Sequence, residues 1–186
     1  MKGVVLANIG AETISIAVFE DDVPISVKVF PTGSSDITND IALHLRVPLA
    51  EAEQVKRGAV TGTEVPRKKI EEVVDSRLKD MFSIIDAHLK QINRHRILPG
   101  GIVITGGGSS ITNARDIAKA TLRLPSQLGT APINARAVSA DATWAVAYGL
   151  CRWGYSTESR MLNAGWRDAA GDIMQSIMRG LRSLMP

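Results

Sequence analysis

Cysteine, aromatic side chains and strong net charge are all scarce in this sequence. The single cysteine, Cys151, allows no internal disulfide and suits a reducing compartment. No histidine stands near it as a base, so it reads as an inert helix residue. Three Phe, three Trp and two Tyr among 186 residues offer no stacking surface for nucleic-acid bases, and a formal charge of +3 is too mild to hold a polyanion. No window approaches the ~18 consecutive apolar residues of a transmembrane helix. The N-terminus has no signal-peptide pattern, so a cytoplasmic chain is expected.

What the chain has is an apolar fraction of 45% with 22% charged residues, enough to bury a core. Its length suits one domain, or one domain with a small inserted lobe. Val4–Ile9 and Thr13–Phe19 read as strands, the second alternating Ile14, Ile16 and Val18 on one face. The polar turn Glu20-Asp21-Asp22 leads to a third strand, Ile25–Phe30, which completes an antiparallel meander. Ser34 or Ser35 can cap a helix through Ile37, Ile41, Ala42 and Leu45. Pro48 marks a break into a helix carrying Glu51, Glu53, Lys56 and Arg57.

After Pro66, Ile70, Val73, Val74, Leu78, Met81, Ile85, Leu89 and Ile92 recur at three- and four-residue steps, which predicts one long amphipathic helix. Gly101–Thr105 is a compact strand feeding Gly106-Gly107-Gly108, with another helix beyond. A helix from Asp141 to about Trp153 closes the globular part, and the polar stretch Tyr155–Arg167 reads as a tether. The tail differs in kind. Ile173, Met174, Ile177, Met178, Leu181, Leu184 and Met185 form an apolar stripe opposite Arg179 and Arg182, a pattern suited to a bilayer surface or a partner's groove. One short helix with two cations binds modestly, so stable anchoring would need many copies in an assembly.

Three pieces of this pattern could assemble half a nucleotide site. The turn Asn8-Ile9-Gly10-Ala11-Glu12-Thr13 can aim N–H groups at a phosphate. Glu53, Lys56 and Arg57 share one helix face at i, i+3 and i+4, able to hydrogen-bond a ribose and stack on a base. Gly106, Gly107 and Gly108 let a ligand approach the backbone closely. In this order they carry a family resemblance. "NIGAETISIAVFEDDVPISVKVFPTGSSDITNDIA" resembles the second phosphate segment of FtsA, the actin-like bacterial division family, where the usual motif is Asp-Ile-Gly-Gly-Gly-Thr. "EAEQVKRG" is similar to its Glu-x-x-Lys element, "PRKKIEEVVDSRLKDMF" to its small-lobe long helix, "GGIVITGGGSSI" to its adenosine motif and "VSADATWAVAYGL" to its closing helix.

The resemblance covers essentially the whole chain and corresponds to the C-terminal half of the family. It implies an α/β fold: an actin-like (ribonuclease H-like) core subdomain from 1–46 and 98–153, and a small lobe over 47–97. A linker over 154–170 and an amphipathic membrane helix over 171–186 would follow. It further implies an adaptor that tethers the C-terminal peptide of the tubulin-like FtsZ to anionic lipid on the cytoplasmic face of the inner membrane at the division site. Arg77, with Lys79 or Lys56 less securely, would meet that peptide's acidic residues. The family's first phosphate segment, catalytic carboxylate region and polymer-contact subdomain would precede Met1, and the small lobe looks trimmed at Gly58–Pro66.

At the phosphate turn, Asn8 stands where an aspartate would orient hydrated Mg²⁺, and Ala11 and Glu12 replace glycines. A carboxylate at Glu12 would repel phosphate oxygens. Gly10 and Thr13 are kept. ATP with Mg²⁺ is therefore expected to bind weakly if at all, no protein-held metal or catalytic residue is expected, and no nucleic acid is a partner. The alternative is an ATP-binding and hydrolysing actin-superfamily enzyme or chaperone piece that needs a separate N-terminal lobe to close over the phosphates. A split-gene half or truncated product also stays open, and an uncovered edge would then favour self-association.

Overall fold

The computed structural model describes residues 3–59, 66–129 and 142–156. Three consecutive strands, β1 (Gly3–Ile9), β2 (Ile14–Glu20) and β3 (Val23–Phe30), form the meander. Asp21 and Asp22, the two loop residues between β2 and β3, both have positive φ, 47° and 66°, as a two-residue hairpin requires. Three helices come next: α1 (Ser34–Leu45), α2 (Leu49–Lys56) and α3 (Arg67–Gln91). Then follow β4 (Ile102–Thr105), a 3₁₀ turn (Gly107–Ser110), α4 (Ala114–Leu122) and β5 (Ser126–Leu128).

The strands make one five-stranded sheet in the order β3-β2-β1-β4-β5. The β1–β2 and β2–β3 pairs are antiparallel, whereas β1–β4 and β4–β5 are parallel. The parallel pairs need crossovers, which the helices supply. One face of the three inner strands is buried. Val5, Ala7, Ile9, Ile14, Ile16, Val18, Ile102 and Ile104 join one core with Ile37 and Ile41 of α1, Ala52 of α2, Leu78, Met81, Phe82 and Ile85 of α3, and Ile117 of α4. The C-terminal ends of the parallel strands β1 and β4 lie side by side, the place where open α/β sheets hold ligands.

Several details differ from the sequence reading. The residue flanking α1 is Gly33, not a serine. Asp36 supplies the cap from inside the helix, accepting from Gly33 N at 3.1 Å and Thr32 Oγ1 at 2.6 Å. Only glycine fits at 33, because a Cβ there would stand 2.3 Å from Ala11 O. In α3, Phe82 is fully buried alongside the residues of the predicted stripe. Three-residue β5 was not predicted; Ser-Gln-Leu is too short for alternation to register.

The chain divides into two units, Met1–Ala145 and Val146–Pro186. All the elements above belong to the first, with a second 3₁₀ turn at Ala142–Trp144. In the second, the helix begun at residue 145 runs to 156, into the stretch expected to start the tether. Its Val146, Leu150, Trp153 and Tyr155 are exposed, as is Cys151. The remaining linker and the tail, with Ile173, Met174, Ile177, Met178, Arg179, Leu181, Arg182 and Leu184, lie outside the described residues.

Candidate functional site

Two of the three nucleotide pieces meet directly at the end of the sheet. The β1–β2 hairpin closes with Gly10 N donating to Thr13 O at 2.9 Å, leaving Ala11, Glu12 and Thr13 exposed at its tip. The glycine turn after β4 packs against the same end of β1. A Cβ on Gly106, whose φ is +86°, would lie 2.5 Å from Ile9 O and 3.0 Å from Asn8 Oδ1, and one on Gly108 would lie 2.4 Å from Ile9 Cγ2. Gly107 between them is exposed, and among the described residues nothing lies within 4 Å of where its Cβ would stand. Ser109 and Ser110 lock the turn, their hydroxyls donating to Gly106 O at 2.7 Å and Gly107 O at 2.8 Å.

The start of α1 ties the hairpin to the third piece. Ser34 N donates to Gly10 O at 2.9 Å and Ser35 N to Ala11 O at 2.8 Å, so two N–H groups of the first helical turn are spent on the hairpin. On the other side of Ser34, Lys56 Nζ of α2 donates to Ser34 O at 3.1 Å and to Thr38 Oγ1 at 2.8 Å. Glu53 joins this knot. It pairs with Lys56 Nζ at 2.6 Å and Arg57 Nε at 2.8 Å, and accepts from Thr38 Oγ1 at 2.6 Å. Burial works against the Glu53 charge, but the hydrogen bonds from Lys56, Thr38 and Arg57 and the Lys56 charge hold its carboxyl down at about 2.

Contacts thus run from Gly106 and Gly108 to Asn8 and Ile9, through the Gly10–Thr13 hairpin to Ser34, and from Ser34 to Lys56, Glu53 and Arg57, while Gly107 is exposed. The accessibility of these residues is unequal. The Lys56 side chain is 9% exposed and fully engaged, whereas that of Arg57 is 75% exposed. Thr38 and Ser34 complete the knot, and sequence reasoning missed both. Nothing in "SSDITND" signals that residue 38 will meet residue 53, because that contact exists only once α1 and α2 pack antiparallel.

The two residues expected to meet a partner are placed differently. Arg77 is clasped by Asp40 of α1, with Nε and Nη2 each donating to one carboxylate oxygen at 2.6 and 2.8 Å. Hydrogen bonding to Asp40 outweighs partial burial and raises the Arg77 pKa further. Lys79, two residues on, is exposed.

With this geometry in view, likeness to known proteins decides the family. The family description "Cell division protein FtsA" matches residues 5–149. The chain belongs to the FtsA family. It is 32% identical over 148 residues to FtsA of Pseudomonas aeruginosa, a match covering 68% of this chain and 36% of that protein. It is 26% identical over 184 residues to FtsA of Escherichia coli, covering 82% of this chain and 43% of that one. The chain therefore spans less than half the length of these FtsA relatives. Among solved structures, MreB5 of Spiroplasma citri bound to ADP superposes with a TM-score of 0.69 at 15% identity, covering 87% of this chain and 56% of that chain. EutJ, an ethanolamine utilization protein of Carboxydothermus hydrogenoformans, gives 0.56 at 24%, covering 69% and 44%. These two share the actin-like fold, an α/β sheet with its helices.

Proposed function

We propose that this chain serves bacterial division as a non-catalytic adaptor that couples FtsZ to the cytoplasmic membrane. Its family membership supports the process, and the observation that carries the adaptor role is the donor set of the phosphate hairpin. Asn8 supplies a carboxamide where metal-assisted chemistry needs a carboxylate, and Glu12 adds an anion at the hairpin tip. The Asn8 carboxamide cannot act as a general base, and an anion at Glu12 cannot offset the negative charge that develops in phosphoryl transfer. The function then rests on two surfaces: the exposed side of α3 with Arg77 and Lys79, facing an acidic FtsZ tail peptide, and the Ile/Met/Leu stripe with Arg179 and Arg182, facing anionic lipid at the division site. Liposome flotation of the full chain against one ending at Arg167 tests the second surface; equal flotation would exclude the tail. Titration of the FtsZ tail peptide against wild type and Arg77→Glu tests the first; unchanged affinity would exclude Arg77.

One observation favours a second reading, a half-site for an adenine nucleotide that another lobe completes. Asn8, Gly10 and the open backbone at Gly107 lie together, and the MreB5 neighbour carries ADP. Steady-state ATP turnover at micromolar protein, abolished by a bulky substitution at Gly107, would move the chain into that class.

A further inference from the structure

From the charges at this end of the fold we infer that its ligand is adenosine or an adenosine monophosphate taken without metal, rather than Mg²⁺-bound ATP. The inference rests on the reading of the site as an adenine half-site. Several features that would neutralise a polyphosphate are occupied or altered. Ser34 N and Ser35 N are spent on Gly10 O and Ala11 O, and the first turn of α1 carries an anion, Asp36. The Lys56 amine is enclosed between Glu53, Thr38 and Ser34 O. Asn8 is neutral, and Glu12 stands exposed at the hairpin tip.

Glu12, Glu53, Lys56 and Arg57 sum to zero formal charge. Of the two cations among them, only Arg57 keeps most of its side chain in water. Among the described residues of this group, one exposed guanidinium, itself paired through Nε with Glu53, suits at most one phosphate, whereas a triphosphate brings several negative charges past Glu12. The donor set therefore does not fit the metal-bound triphosphate that an actin-like fold leads one to expect. Gly107 exposes bare backbone between two glycines packed on Ile9, against which an uncharged nucleoside could lie without meeting an anion.

The test is calorimetric titration of the full chain with adenosine, AMP and ATP, each with and without Mg²⁺. Adenosine and AMP are expected to bind with affinities independent of Mg²⁺, and ATP at least about tenfold more weakly, a gap of about 1.4 kcal/mol. Glu12→Gly should close most of that gap and leave adenosine unchanged, and Asn8→Asp added to it should make ATP binding respond to Mg²⁺. Gly107→Val, checked for folding by circular dichroism, should abolish binding of all three. ATP with Mg²⁺ binding the wild type as tightly as adenosine would overturn the selectivity while leaving the half-site standing. Binding of none of the three would overturn both. An ATP affinity unmoved by Glu12→Gly would remove Glu12 as the discriminating residue.

Discussion

Glu53 and the glycines after β4 show how much single residues decide here. Glu53 ionises at about 2 rather than its ordinary 4.5. Because the folded value is the lower one, its contribution to stability is complete above pH 4.5 and is lost as pH falls towards 2. With the side chain about one-third exposed, solvent screening reduces that contribution to about 1–2 kcal/mol. In urea titrations, the stability difference between wild type and Glu53→Gln should therefore narrow steadily from pH 5 to pH 2; a constant difference would mean that the knot does not hold the charge. At the glycine turn, Gly108→Ala forces a methyl against Ile9 and should cost about 1–3 kcal/mol by thermal or urea unfolding. Gly107→Ala projects into open space and should change stability by less than about 0.5 kcal/mol. The sequence shows three equivalent glycines, and only their packing on β1 distinguishes them.

Among the elements, α3 holds the fold together. Its buried row spans Val73 to Leu89, and Phe82→Ala should cost about 3–5 kcal/mol in chemical unfolding through the cavity it leaves. The helical period made most of this row legible in advance. The Arg77–Asp40 clasp was not, since it joins residues 37 apart. That clasp complicates Arg77→Glu, which would set a new carboxylate against Asp40 and loosen α3 from α1. Exchanging the pair, Arg77→Asp with Asp40→Arg, should recover most of the stability lost in Arg77→Asp alone, about 1 kcal/mol for a partly exposed pair. It still reverses the charge at position 77, so peptide affinity measured on the exchanged protein separates binding from folding.

For the whole molecule, the sheet face opposite the buried one bears on behaviour in solution. Leu6 pairs with Ala17 and Ala17 with Val27 across the strands, and Leu6, Val27 and Val29 are exposed at 39%, 71% and 54%. On the edge strand β3 such residues invite association. Val27→Lys with Val29→Lys should shift sedimentation at high concentration towards the monomer, with a change in unfolding free energy below about 0.5 kcal/mol. Unchanged sedimentation would show that this face plays no part in association.

By itself the sequence determined the strand meander, the long helix, the Pro48 and Pro66 breaks and the glycine turn. Each follows from local periodicity or from a backbone constraint carried by the residue itself. It also determined the family, because the motifs occur in a characteristic order. Only the tertiary structure decided which site residues are available to a ligand. Lys56 is consumed by Glu53, Thr38 and Ser34, Arg57 is left largely in water, and Arg77 is claimed by Asp40. Charges are read one at a time along a chain, but they pair through space, and that pairing forms only when α1 packs against the hairpin, α2 and α3.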